Sequence, residues 1–379
     1  MTRIGPEGQA WARAWPTASA RVAEKVAAIH RGLFFMVFLC KNGMGGKRPV
    51  RLNPKQIVSL KEARGLIRRA IDKAEELKQR GPFIVVDEGG VPVSASRMDG
   101  AGPFGMAIVR GKAFFAAVNR STSARLYERL ENRWPAIYQG YKDLARDGVF
   151  PGQGAMLIRR EGTVVGSLST GSGIGPFMKF EGVDPAKLLI EGEPANAEDL
   201  IICYALREPY HPQHGDDLKR WMETFRFPPS QLGRGSGFSE SPPANCQATL
   251  DEAIAIADAA IAEASRRGLA ISVAVTDRNG DLLQMDRMDG AAPMSPDVAE
   301  ALAVTAINFG GSSAQAAKLF AAEPGLARLP EIAPFRFLPM PGGIAIRDGG
   351  RIAGAVGVSG ADPEENQRIA ETAADFKAG

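Results

Sequence analysis

The sequence predicts an α+β protein built from two similar domains. Each is an antiparallel sheet of two hairpins packed with helices, in the order α-β-β-α-α-β-β-α. Three observations predict it. The pattern Arg-Met-Asp-Gly-Ala-x-Pro occurs twice, from Arg97 and from Arg287, so position 97 faces 287 at an offset of 190 residues. Each copy carries two strand pairs bounded by turn residues. No β-helix-β alternation runs through either copy, which argues against a doubly wound parallel sheet.

The repeat extends outward from that pattern. Asp87 matches Asp277, and Gly90 matches Gly280. Further upstream, Ser59-x-x-Glu62 matches Thr249-x-x-Glu252, two helix-start boxes in which a hydroxyl and a carboxylate satisfy orphan N–H groups. Downstream, Pro151-Gly152 matches Pro341-Gly342, and the offset then slips by two, so that Gly166 faces Gly354.

The second copy gives its elements in order. Leu250, Ala253, Ile254, Ala257, Ile261 and Ala264 recur with helical spacing, and Gly268 closes that helix. A β-rich run from Ile271 to Thr276 follows. Asp277-Arg278-Asn279-Gly280 reads as a hairpin turn, because Asn-Gly accepts positive φ cheaply. The return strand spans about 281–287. Ser295-Pro296 reads as an N-cap with proline at the first helical position, opening a helix to about Asn308 that Gly310-Gly311 stops. Ser312 or Ser313 caps a further helix through Leu319. Strands from Gly343 to Arg347 and Arg351 to Val358 flank the turn Asp348-Gly349-Gly350, and Asp362-Pro363 starts a last helix through Phe376.

Four segments result: a leader, 1–43, read as a disordered arm or an over-extended start; a diverged first repeat, 44–173; a connector with helices, 174–248; and a second repeat, 249–379. The first repeat shows no match to the terminal helix of the second. The connector reads as helical over 196–206 and 216–225, then loosens through Pro228, Pro229, Gly233, Gly235, Pro242 and Pro243.

Composition bounds the partners. The 379 residues suffice for two ordinary domains, and a net charge of +3 offers no argument for nucleic acid or an anionic membrane. The longest apolar run, Leu33 to Cys40, is too short to span a bilayer. Cys40, Cys203 and Cys246 lie far apart without metal-ligand spacing, which excludes a disulfide framework and fits a reducing, cytoplasmic compartment.

Several stretches of the second copy together resemble the GlcG/HbpS-like family, often labelled the haem-degrading domain. They are Arg287-Met288-Asp289-Gly290-Ala291, Thr305-Ala306, Pro341-Gly342-Gly343 and, above all, the run 349–360, "GGRIAGAVGVSG". The first copy resembles it more loosely over 59–173, with "GSLSTGSG" in place of the last run. The resemblance implies compact α+β domains that pair symmetrically, and hence a tandem chain acting as its own dimer, self-associating through pseudo-symmetric domains. It also implies haem or another tetrapyrrole as a possible ligand. The family's Lys-Ala-x-Thr-Ala pattern is split here. The first copy has Lys112-Ala113 with Phe115 in the Thr place; the second has Thr305-Ala306 with Leu302 in the Lys place. A single composite or surviving site is one reading of that split, and drift after duplication is the other.

Arg97 and Arg287 each end a strand before a tight turn, where a planar guanidinium can grip a carboxylate. Asp99 and Asp289 follow two residues later. Either they form a ligand-facing Arg-Asp pair, or each Asp is an Asx-turn or N-cap residue tied by its own Arg. Lys112 joins these four as a candidate catalytic residue. Thr305, Gly342 and Gly343 are the candidate cofactor-binding residues, since glycine corners can bring backbone N–H groups to an anion. The cluster His211, His214, Asp216 and Asp217 has the donors for a divalent ion, but Pro212 breaks the helix and Gly215-Asp216 reads as a turn, so no metal is expected. Neither repeat core contains histidine, so an imidazole ligand to haem iron would come from the leader or connector.

Three functions follow: a binding protein for a small molecule or haem, with a pocket at the seam between repeats; a metal-free lyase, isomerase or hydrolase acting on an aromatic or carboxylate metabolite, with the connector as a lid; and a duplicated scaffold without ligand. Deleting residues 1–43 is expected to leave a soluble chain with a single cooperative melting transition; loss of that transition refutes the segment boundaries.

Overall fold

The computed structural model describes residues 57–77, 79–126, 136–137, 139–140, 148–150, 152–171, 189–190, 193–194, 196–211, 248–323, 325–326 and 336–375. The leader, the 216–225 helix, His214, Asp216 and Asp217 lie outside them. The first repeat contributes α1 (Leu60–Glu76), β1 (Pro82–Asp87), β2 (Pro92–Arg97), α2 (Phe104–Asn119), β3 (Ala155–Arg160) and β4 (Thr163–Thr170). The connector contributes a two-residue hairpin, β5 (Leu189–Ile190) with β6 (Glu193–Pro194), and α3 (Ala197–Leu206). The second repeat contributes α4 (Leu250–Arg266), β7 (Ser272–Asp277), β8 (Leu282–Arg287), α5 (Ser295–Phe309), α6 (Ser313–Ala322), β9 (Gly343–Asp348), β10 (Arg351–Ser359) and α7 (Pro363–Ala374).

Each repeat forms a four-stranded antiparallel sheet, and the two sheets join into one of eight strands, ordered β3-β4-β1-β2-β8-β7-β10-β9. The join is β2 against β8, with Ser94 opposite Asp286, Ala95 opposite Met285 and Ser96 opposite Gln284. Ala95 and Met285 hold the same position in the two repeats, so the pseudo-two-fold axis passes between them. Arg110 and Glu300 also share a repeat position, and they meet in an ion pair of 2.5 Å on α2 and α5.

Helices cover both faces, giving three layers. Strand alternation decides which side chain goes where. Phe83 and Val85 point to α1 and α3; Ile84 and Val86 point to α2. In the second repeat Val273 and Val275 face α4 and α7. The core under α2 and α5 crosses the seam without a break, because Ile84, Val86 and Ala95 pack with Ala274, Leu282 and Met285.

Local chemistry sets the helix ends. Thr249 and Glu252 close a full capping box. Ser59 accepts from the Glu62 N–H, but the Glu62 carboxylate pairs with Arg160, so the first box is only half made. The helix expected to be capped by Ser295 starts one residue earlier. Ser295 is its first residue, and the hydroxyl bonds Ala292 O (2.6 Å) and Ser272 Oγ (2.7 Å) instead of a helix N–H.

The terminal helix missing from the first repeat is supplied by the connector. In the second repeat α7 packs on α4, β9 and β10; in the first, α3 packs on α1, β3 and β4. Asn196 caps α3 by accepting from Asp199 N at 3.0 Å. Ile201, Ile202 and Cys203 are buried there, and Cys203 Sγ lies 3.8 Å from both Met156 Sδ and His211 Nδ1. Burial pushes the Cys203 thiol up from 9.0 to about 11. A raised folded-state pKa means the protonated form favours folding, so this contribution is whole below pH 9 and is lost as pH rises toward 11. Denaturant stability should therefore fall over that window in the native chain. The fall should be shallower in Cys203→Ala; identical slopes would overturn the assignment.

Candidate functional site: the seam and its cavity

The two Arg-Met-Asp-Gly motifs reach across the seam, each into the other repeat. Arg97 is buried and donates through Nη2 to Asp277 Oδ2 (2.6 Å), through Nε to Leu282 O (2.9 Å) and through Nη1 to Ala101 O (3.0 Å). Arg287 repeats the arrangement, donating to Asp87 Oδ2 (2.6 Å) and Pro92 O (3.0 Å). Each partner aspartate uses its other oxygen on its own hairpin turn. Asp277 Oδ1 accepts from Asn279 N (2.8 Å) and Asp281 N (3.1 Å); Asp87 Oδ1 accepts from Gly89 N (3.0 Å) and Val91 N (2.9 Å).

Asp99 and Asp289 are crossed as well. Asp99 Oδ1 accepts from Leu250 N and Asp289 Oδ1 from Leu60 N, both at 2.9 Å, so each aspartate caps the first turn of the other repeat's leading helix. Neither is a cap on its own helix tied by its own arginine. Nearby Asp281 titrates above the ordinary carboxylate range, through burial and the Asp277 charge, with Arg97 opposing.

Lys112 is buried and donates to Glu198 Oε2 of α3 (2.9 Å) and to Thr170 O (3.3 Å). Thr305 is buried too. Its Oγ1 donates to Ala301 O and accepts from Leu338 N, both at 2.7 Å. The glycine N–H groups are taken by side chains: Gly342 N donates to Gln367 Oε1 and Gly343 N to Ser313 Oγ, both at 2.8 Å. A Cβ on Gly343 would stand 2.2 Å from Leu302 O, so glycine here answers the close approach of α5 to β9. Of the five expected catalytic residues, Asp99 alone lines either of the two cavities described below.

The cavity that Asp99 lines measures about 730 Å³, within the range of small-molecule sites, and is lined from both repeats. Ile67, Ile71, Met98, Leu250 and Ile254 give it apolar walls, while Ser96 and Gln284 form part of its lining from the paired strands. Arg64, Arg68 and Arg80 supply positive charge, against Glu75, Asp99 and Asp251. Apart from Asp99, the local sequence pattern marked none of these as site residues, because they come together only when β2 pairs with β8. A smaller cavity, about 340 Å³, lies on the opposite face beside Met106, Arg110, Asp281 and Glu300.

Arg64 is bound on one side of the larger cavity. Its Nε and Nη2 donate to Asp286 (3.0 and 2.8 Å), and Nη1 pairs with Asp258. Asp286 is fully buried and also accepts from Ser94 Oγ (2.8 Å) and Gln284 Nε2 (2.7 Å). Burial works against the Arg64 cation, but the bonds and charges of Asp286 and Asp258 outweigh it and hold the guanidinium above its ordinary value.

Comparison with known proteins follows the same division. The family model described as "Haem degrading protein HbpS-like" matches residues 58–175 and again 248–375.

The chain belongs to the HbpS-like family.

No curated protein sequence matches this HbpS-like chain. Among solved structures it is similar to a double mutant of Streptomyces reticuli HbpS, with 33% identity, coverage of 37% of this chain and 91% of that one, and a TM-score of 0.32. It is also similar to Klebsiella pneumoniae protein ORFY, with 30% identity, coverage of 36% and 94%, and a TM-score of 0.32. A third is the PduOC:heme complex, with 24% identity, coverage of 34% and 93%, and a TM-score of 0.32. No helix among the described residues is long and apolar enough to cross a membrane, and no group of three or more His, Cys, Asp or Glu among them could hold a metal ion.

Arg97→Ala should cost about 3–5 kcal/mol in denaturant unfolding, since it strands the Asp277 carboxylate in the core. Arg287→Ala should cost less, because that pair is 14% and 16% exposed rather than 5% and 3%. Equal losses, or a negligible loss for Arg97→Ala, would contradict the seam role.

Proposed function

We propose that this HbpS-like protein binds a flat, largely apolar carboxylate of the tetrapyrrole class in the cavity between α1, α4, β2 and β8. The cavity carries the reading. It is large enough for such a molecule, it is walled by aliphatic side chains, and Arg68 and Arg80 line it beside Arg64, whose guanidinium is held by Asp258 and Asp286. Apolar walls supply affinity through burial, and guanidinium groups orient acid groups. Membership of a family described as haem-degrading supports the same ligand class.

The fit to haem is partial. The arginines and aliphatic walls suit the macrocycle and its acid groups. The described lining holds no His, Cys or Tyr, and the Met98 thioether is its one soft donor, so the residues present do not make a protein-ligated iron site. Binding therefore rests on the ring and its carboxylates.

Hemin titrated into the purified full-length chain should give a saturable Soret change. Ile254→Trp, which fills the cavity from α4, should weaken it at least about tenfold, or 1.4 kcal/mol, without loss of the melting transition. A linear, unsaturable response in the native chain, or an unchanged titration in Ile254→Trp, would reject the reading.

A further inference from the structure

The seam has two half-grooves related by the pseudo-two-fold axis, and they differ in occupancy and charge. Moving the lining of the open cavity by one repeat gives the closed half. Ile254 becomes Arg64, Arg68 becomes Asp258, Ser96 becomes Asp286 and Gln284 becomes Ser94. The Arg64 guanidinium bonds Asp258 and Asp286, and Asp286 also takes the Ser94 hydroxyl. Arg64, which also borders the open cavity, thus places its guanidinium in the closed half, seated between two carboxylates.

In the open half every part of that lock is changed. The plug is replaced by Ile254, which carries no charge. The two carboxylates are replaced by a cation, Arg68, and a hydroxyl, Ser96. Arg68 reaches one acid, Asp72 at 3.1 Å, and its side chain remains 68% exposed. At the positions of the lock itself the polarity is reversed on the other side of the axis, with Glu75, Asp99 and Asp251 elsewhere in the lining.

Resting on the ligand class proposed above, we infer that the open half-groove is an anion subsite in which Arg68 receives an acid group of the ligand, and that Arg64 closes the symmetric half, leaving one site per chain. Arg68 is a specificity-determining residue on this assignment, and Arg64 is a positioning residue that sets site number. An exposed guanidinium facing a carboxylate beside apolar walls gains most when the ligand's own bulk excludes water from the pair.

The test compares metal-free protoporphyrin IX with its dimethyl ester, which keeps the ring and removes both charges. Porphyrin fluorescence is read on the full-length chain. The native protein should bind the diacid at one per chain and at least about tenfold more tightly than the ester. Arg68→Asp, which restores the closed half's charge at that position, should abolish the preference through loss of diacid affinity while ester binding stays. Arg68→Lys should recover part of it. Equal affinity for diacid and ester, or an unaltered preference in Arg68→Asp, overturns the anion subsite while leaving the ligand class standing. Two sites per native chain overturn the role of Arg64. Failure of both porphyrins to bind overturns the ligand class and the subsite with it.

Discussion

The crossed ion pair between Arg97 and Asp277 is the constraint on which the rest of the structure hangs. Two ions taken out of water cost several kcal/mol each, and they are tolerated only when geometry and further hydrogen bonds are good. Here they are. Arg97 satisfies three acceptors, and Asp277 divides its oxygens between the guanidinium and its own hairpin turn. The pair fixes the register of β2 against β8, because any slip would leave both charges buried without partners. With that register set, Asp99 and Asp289 fall at the N-termini of the opposite leading helices. The spacing of α1 from α4, and so the cavity floor, follows from the same contact.

Duplication matters most on the axis. In a symmetric dimer a residue at the axis meets its own copy, so an arginine there would face an arginine. Within one chain the two copies diverge independently. Arg110 faces Glu300, and the small Ala95 faces the long Met285. Each is a complementary pair that identical subunits could not make. The same freedom produced Arg64 against Ile254 and Asp286 against Ser96. An arginine at both positions would have filled the groove twice, and an isoleucine at both would have left Asp286 buried without its cation.

Much of the plan was legible because it is local. Asn279-Gly280, Gly310-Gly311 and Thr249-x-x-Glu252 each act within a few residues, and the structure uses them as turn, helix stop and cap. The family showed through the motifs of the second copy, above all residues 349–360. What sequence could not show is what the motif touches. Arg97 and Asp277 are 180 positions apart, and no periodicity records a pairing that exists only after two sheets join. Asp87 and Asp277 stood out as matched turn residues; their second oxygen, turned toward the opposite arginine, carried no signal. The connector helix was recognised at 196–206, but its place as the first repeat's terminal helix depends on where the chain returns to the sheet.

That return explains the buried charge at Lys112. In the second repeat the chain runs from β10 straight into α7, and the position equivalent to Lys112 is the apolar Leu302. In the first repeat α3 comes back to the sheet after more than twenty intervening residues, so chain connection alone specifies its seat poorly. Aliphatic contact through Ile201, Ile202 and Cys203 favours docking without dictating how far the helix slides along its axis. The ion pair does dictate it. Glu198 must meet Lys112 beside Thr170 O, against Gly154, where a Cβ would stand 2.2 Å from the Glu198 carboxylate. One turn of slippage would bury an unpaired lysine, so a costly pair serves as the register mark for a helix that connectivity leaves free.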